Sequence, residues 1–141
     1  MNRITTLVTV LALAHASVWG TTLDVYWVDV EGGAATLVKT PAGESILIDS
    51  GNPGTRDAGR IHQVATREAG LKKIDHLITT HFHGDHYGGA AMLANLMPIG
   101  TVHDNGIPKK NPDRHRRNPI FPQLIKPYRD MKVDSRHVVK P

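Results

Sequence analysis

Four side chains able to bind a metal ion lie within six consecutive positions of this 141-residue chain: His81, His83, Asp85 and His86. Neutral imidazoles and a carboxylate are ligands that borderline divalent cations such as zinc accept. The chain has no cysteine, which favours a nitrogen and oxygen site. Any one of these histidines alone could be an ordinary surface or core residue. Together they would compete for one small volume without compensation, so the cluster predicts a metal centre.

The spacing of the four residues decides what backbone could bring them together. A helix would stack only His81 on Asp85, and a strand would send His86 to the opposite side. The four are therefore predicted to converge on a loop. Gly84 within it, and the pair Gly88-Gly89 after it, are expected to supply the backbone freedom that lets the chain fold back.

The stretch from His81 to His86, which follows the apolar pair Leu77-Ile78, resembles the H-x-H-x-D-H motif of the metallo-β-lactamase-fold hydrolases. The resemblance implies that His81 and His83 hold one zinc ion and that Asp85 and His86 hold a second; one ion, or other divalent metals, would also suit the site. It further implies that Asp85 is catalytic and orients the attacking water. An activated water of this kind hydrolyses bonds near neutral pH.

The same resemblance places Asp49, in the sequence Ile48-Asp49-Ser50-Gly51, beside the metal ligands as a support that orients them. The alternative for Asp49 is a turn cap at the end of a buried strand. Each metal would still need further ligands, which the family takes from later in the chain. The candidates are His103, His115, His137, Asp104, Asp113, Asp130 and Asp134. We interpret His103 as part of a strand, His115 as part of a solvated basic loop and His137 as close to a strand, and expect the missing ligands beyond Pro141.

The hydrophobic pattern predicts an α/β (α+β) fold in which an antiparallel meander precedes parallel strand-helix-strand units. Strands are predicted at 23–30, 34–40, 45–49, 74–80 and 99–105, and helices at 57–69 and 88–96. Asp57 is predicted to cap the first helix, and Gly70 to end it. Through the resemblance, this order is the N-terminal half of an αββα sandwich, whose open sheet face would be left uncovered.

The first sixteen residues predict a signal peptide, because Arg3 precedes an apolar run that ends in Ala14-His15-Ala16. That interpretation makes the protein secreted or periplasmic. The run is too short to give a stable membrane span. The alternative is that this segment is a strand or helix of the domain.

Length and charge predict a single domain over residues 22–141 with a basic loop at 106–132. The family resemblance implies that this domain is incomplete at its C-terminus. Residues 1–108 carry seven Lys and Arg against ten Asp and Glu, whereas residues 109–141 carry ten against three. A basic segment of this kind suits a polyanionic partner, although a solvated insertion loop has the same composition.

These patterns favour a metal-dependent hydrolase acting on a small molecule or a phosphodiester. The stretch Val28 to Leu37 resembles the branch of the family related to DNA-uptake competence proteins, which favours the phosphodiester. Two alternatives stay open: a non-catalytic basic module that binds nucleic acid or an anionic surface, and a truncated product whose half-built site is inactive.

Overall fold

The computed structural model describes residues 22–112 and 120–140, which form one six-stranded sheet covered by helices. The strands lie side by side in chain order: β1 Asp24–Trp27, β2 Thr36–Lys39, β3 Ser45–Ile48, β4 Ile74–Ile78, β5 Ile99–Asp104 and β6 Ser135–Val138. The first three pair antiparallel, and β3 to β6 pair parallel. The predicted meander followed by parallel strands is confirmed, and the mixed α/β fold with it.

Alternation along the strands places the core on one face of the sheet. Leu37, Leu47, Leu77 and Val102 are register partners across β2 to β5, and all four are fully buried. They share the core with helical residues such as Ile61 and Leu93. The residues between them point to the other face and are only half-buried, while Trp27 at the edge is 82% exposed. The open face expected from the sequence is therefore present among the described residues.

The connection between β3 and β4 is α1, Thr55–Gln63, continued by a π-helical segment, Val64–Glu68. It ends at Gly70, whose φ of +67° confirms the predicted stop. The prediction that Asp57 caps this helix is wrong. Gly54 occupies the cap, and Asp57 lies inside the first turn because its carboxylate accepts hydrogen bonds from the backbone and side-chain amides of Asn52.

Two helices follow β4: the first corrects the expectation of a loop, and the second confirms the helix predicted at 88–96. His81 to His83 are extended or irregular, but Asp85 and His86 lie in the short helix α2, Gly84–Tyr87, and α3 spans Ala90–Leu96. The helical turn forms because His83 is extended and its carbonyl accepts the amide of His86 at 3.0 Å. The expected backbone freedom of the glycines is also wrong: Gly88 and Gly89 have ordinary helical φ values of −64° and −80°.

The basic loop contains two short helices, α4 Phe121–Leu124 and α5 Lys126–Asp130, and leads into β6. Phe121, Ile125 and Tyr128 from these helices complete the core. Across the two described ranges, no helix is both long and apolar enough to cross a membrane. The signal-peptide prediction for residues 1–16 lies outside the described residues.

Candidate metal centre

The buried carboxylate of Asp49 organises the base of the histidine cluster. Asp49 follows β3, is 2% exposed, and has a φ of +60°. Its Oδ1 accepts the backbone amide of Thr80 at 2.8 Å, and its Oδ2 accepts the Thr80 hydroxyl at 2.7 Å and the Nδ1–H of His86 at 2.8 Å. The predicted placement of Asp49 next to a histidine of the motif is therefore what the structure shows.

This contact fixes the chemical form that His86 presents. A carboxylate only accepts, so Nδ1 must carry the proton, and in a neutral ring Nε2 then keeps its lone pair. That Nε2 lies 3.8 Å from Asp85 Oδ2. The two donor atoms that the sequence assigns to one metal therefore face each other. A histidine oriented by a carboxylate in this way is the arrangement found around protein-bound metals.

Backbone contacts hold α2 against two neighbouring loops. The carbonyl of His86 accepts the amide of Ser50 at 2.7 Å and its hydroxyl at 3.0 Å. The carbonyl of Asp85 accepts the amide of Ala34 at 3.2 Å. The loops after β1 and β3 thereby fix the backbone of both residues.

Close packing explains three glycines that lie around α2: Gly33, Gly88 and Gly89. A Cβ on Gly89 would overlap the carbonyl oxygen of Ser50, and one on Gly88 would overlap Pro53. A Cβ on Gly33 would likewise overlap the carbonyl oxygen of Asp85. These glycines allow neighbouring backbones to approach, which is a different use from the one predicted.

The three histidine rings of the motif lie together. The ring centroid of His81 is 3.9 Å from that of His86 and 4.6 Å from that of His83. Burial lowers the pKa of His81 below its ordinary value, and repulsion from His86 and His83 lowers it further, while Asp49 and Asp85 oppose the shift. His81 is thus biased toward the neutral form that binds metals.

The residues fit a divalent metal by donor type. Within residues 22–112 and 120–140, however, no three His, Cys, Asp or Glu side chains stand as a group arranged to hold a metal ion. The rings contact one another instead of surrounding a common centre. The cluster brings donor atoms together only in pairs, most clearly those of Asp85 and His86. The assignment of His81, His83, Asp85 and His86 as metal ligands therefore stays a prediction.

The candidates for further ligands lie elsewhere. His103 and His137 are register partners on β5 and β6, with ring centroids 5.7 Å apart. Asp104 accepts a hydrogen bond from Tyr128, Asp130 pairs with Lys126 and Arg129, and the backbone of Asp134 bonds to Ile99 and Gly100. His115 and Asp113 lie outside the described residues. Among the described candidates, no side-chain hydrogen bond or ring contact reaches the four motif residues.

The buried hydroxyl of Tyr128 makes a hydrogen-bonded contact close to the start of the motif, which the sequence reasoning missed. The Tyr128 hydroxyl lies 3.0 Å from Thr79 Oγ1 and 2.9 Å from Asp104 Oδ2, joining α5 to the ends of β4 and β5. Burial raises the pKa of this tyrosine strongly. The sequence holds no signal for this contact, because nothing in the spacing of Tyr128 points to Thr79, 49 residues away.

Comparison with known proteins agrees with the fold and the motif. A family model described as the metallo-beta-lactamase superfamily matches residues 28–136. This range contains strands β2 to β5, the first two residues of β6 and the whole histidine cluster. The chain therefore belongs to the metallo-beta-lactamase superfamily.

Three relatives illustrate the range of similar proteins. A UPF0173 metal-dependent hydrolase of Cupriavidus metallidurans is 34% identical over 87 residues, covering 60% of this chain and 27% of the relative. A ribonuclease Z of Thermococcus kodakarensis is 42% identical over 57 residues, covering 40% and 16%. An atrochrysone carboxyl ACP thioesterase of Passalora fulva is 34% identical over 86 residues, covering 61% and 24%. The chain thus matches about a quarter or less of each. The competence-type branch stays a prediction.

Proposed function

We propose that this chain carries part of the active site of a metal-dependent hydrolase. The observation that carries the proposal is the hydrogen bond from His86 Nδ1 to Asp49, because it directs the lone pair of Nε2 away from Asp49 and toward the side of Asp85. The name of the Cupriavidus metallidurans relative, a metal-dependent hydrolase, supports the same class of function.

In this proposal His81, His83, Asp85 and His86 are the protein ligands of one or two zinc ions. Bound zinc would supply an activated water and polarise the bond under attack. Asp85, whose side chain is 38% exposed beside the cluster, would be the catalytic residue that orients this water. Asp49 accepts hydrogen bonds from the ring of His86 and from the amide of Thr80, and so holds that ring and the start of the motif in place.

We propose a phosphodiester as the substrate class. The ribonuclease Z relative supports it, because the name of that protein specifies RNA cleavage and the match is 42% identical. The basic segment 109–141 would favour an anionic substrate. The thioesterase relative defines the competing class, a thioester. We further propose that the protein acts outside the cytoplasm, which rests on the signal-like sequence at 1–16 alone.

Hydrolysis of bis(4-nitrophenyl) phosphate by the zinc-loaded chain tests this proposal. We expect His83→Ala to abolish the activity, because it removes one ligand from the cluster. His62→Ala is the matched control: His62 lies on α1, outside the cluster, and its replacement should leave the activity intact. Cleavage of a thioester but not of the phosphodiester would refute the substrate class. A zinc-loaded chain that cleaves neither would refute the activity and favour the alternative of an inactive, half-built site.

A further inference from the structure

A second group of histidines lies on the open face of the sheet, away from the motif. Leu77 and Val102 point into the core, so the neighbouring positions on β4 and β5 point to the opposite face. His76 and His103 occupy two of these positions. His137 on β6 is the register partner of His103. The three residues, which we call the histidine row, therefore cross three adjacent strands.

Two of these rings approach at the distance that metal ligands take. His76 Nδ1 lies 3.1 Å from His103 Nε2. Two nitrogens bound to one tetrahedral zinc ion, each at about 2.05 Å, stand about 3.3 Å apart. The existing separation therefore differs from a chelating one by a few tenths of an ångström. Binding one ion would also require both rings to turn, so that the two nitrogen lone pairs converge on it.

The other nitrogen of His76 is already fixed by a carboxylate. Glu44 Oε1, from the turn before β3, lies 3.0 Å from His76 Nε2. Because a carboxylate accepts, Nε2 carries the proton, and Nδ1 of the neutral ring presents its lone pair to His103. His103 Nε2–H then donates to it, so a metal can bind that nitrogen once the proton of His103 resides on Nδ1. Glu44 thus orients His76 much as Asp49 orients His86.

We propose that His76 and His103 form a second, weak binding site for zinc or a similar first-row transition metal on the open face of the sheet. His103 changes tautomer: Nε2 releases its proton to water and Nδ1 takes one up, so the ring stays neutral, and Nδ1 of His76 and Nε2 of His103 both coordinate. Water completes the coordination. With two protein ligands, the site binds more weakly than a centre with three or four.

The surroundings of His103 favour the neutral ring that coordination needs. Burial lowers the pKa of His103, and repulsion from His76 and His137 lowers it further. Glu44 is the acidic group in contact with the row. The side chain of His76 is 34% exposed, which leaves the site open to ions from solution.

Zinc titration of the full chain, followed through the imidazole nitrogens by long-range ¹H–¹⁵N spectra, tests the proposal. We expect the resonances of His76 Nδ1 and His103 Nε2 to shift together. Calorimetry on His103→Gln should show the loss of one weakly bound equivalent, and His76→Gln should give the same loss because it removes the other proposed ligand. His137→Gln is the matched control: it removes a neighbouring ring of the row but neither proposed ligand, so the equivalent should remain.

The site is independent of the motif, and the experiment separates the two. His83→Ala removes a ligand of the motif and should leave the weak equivalent at the histidine row unchanged. If His103→Gln and His76→Gln, both folded by circular dichroism, bind as much zinc as the native chain, the proposal is wrong. Zinc-induced shifts confined to His81, His83 and His86 would overturn it in the same way.

Discussion

Asp49 Oδ2 accepts the Nδ1–H of His86 at 2.8 Å, joining the end of β3 to the helical turn α2 across 37 positions of the chain. Because Asp49 also binds the amide and hydroxyl of Thr80, one carboxylate fixes the first and the last part of the motif. The ring of His86 therefore has a defined orientation in the protein alone. Such preorganisation lowers the cost of ordering ligands when a metal binds.

Replacement of Asp49 by Asn should weaken zinc binding by about 10- to 100-fold, a typical effect of losing the partner that orients a ligand. Asn tolerates the left-handed backbone conformation at this position, so the fold should survive. Calorimetric zinc titration of Asp49→Asn measures the effect. Asp75→Asn is the control, because Asp75 bonds to Ser45 and Lys73 instead of the motif. Equal zinc affinity in both variants would show that Asp49 does not orient His86 for metal binding.

The close approach at Gly89 predicts opposite effects of the same substitution at two glycines. Gly89→Ala should lower the free energy of unfolding by about 1–3 kcal/mol, because its methyl group would overlap the Ser50 carbonyl. Gly59→Ala, within α1 and with no atom near its added methyl, should raise it by about 0.5–1 kcal/mol. Urea denaturation of both variants measures the two values. A Gly89→Ala protein as stable as Gly59→Ala would contradict the packing.

The buried hydroxyl of Tyr128 should contribute to stability through both of its partners. Tyr128→Phe leaves Asp104 and Thr79 without this bond, at an expected cost of about 1–3 kcal/mol. Thr79→Val removes one partner. The double variant should cost less than the two single losses added together, because the side chains share one interaction. Strictly additive unfolding free energies would show that the bond contributes nothing.

Acid should destabilise the protein partly through Asp75. Burial acts to raise the pKa of Asp75, but hydrogen bonds from Lys73 and Ser45 outweigh it, and the net pKa lies below the ordinary 3.8. A carboxyl with a lowered folded-state pKa stabilises the fold above its unfolded pKa, and this contribution disappears as the pH falls through the folded value. Between pH 5 and about pH 2, Asp75→Asn should therefore lose less stability than the native chain, as measured by urea denaturation at each pH. A parallel loss in both proteins would contradict the shift.

The strands and their order could be predicted because the alternation of inward- and outward-facing side chains is a local pattern, visible in consecutive residues. In β1, Val25 and Trp27 alternate with the inward-facing Tyr26, and the structure preserves that alternation. Short turns between the first three strands indicated antiparallel pairing, and the helix before β4 indicated a parallel crossover. The motif and the family resemblance that it carries were enough to predict that Asp49 lies beside the histidines.

Contacts distant in sequence could not be predicted in this way. Asp57 has the right type and place for a helix cap, yet its carboxylate binds the loop at Asn52, because that loop packs against the helix start. Gly88 and Gly89 indicated a flexible backbone but serve close packing, which depends on where Pro53 and Ser50 lie. Tyr128 bonds to partners 24 and 49 positions away, beyond any local pattern.

The central claim is that His81, His83, Asp85 and His86 bind a divalent metal, and zinc binding by the His103→Gln protein tests it most directly. That background removes the proposed weak site on the open sheet face. We expect this protein to bind zinc, and the further substitution His83→Ala or Asp85→Ala to abolish or strongly weaken that binding, while His62→Ala leaves it unchanged. Zinc binding that is equally strong with and without His83 and Asp85 would contradict the account.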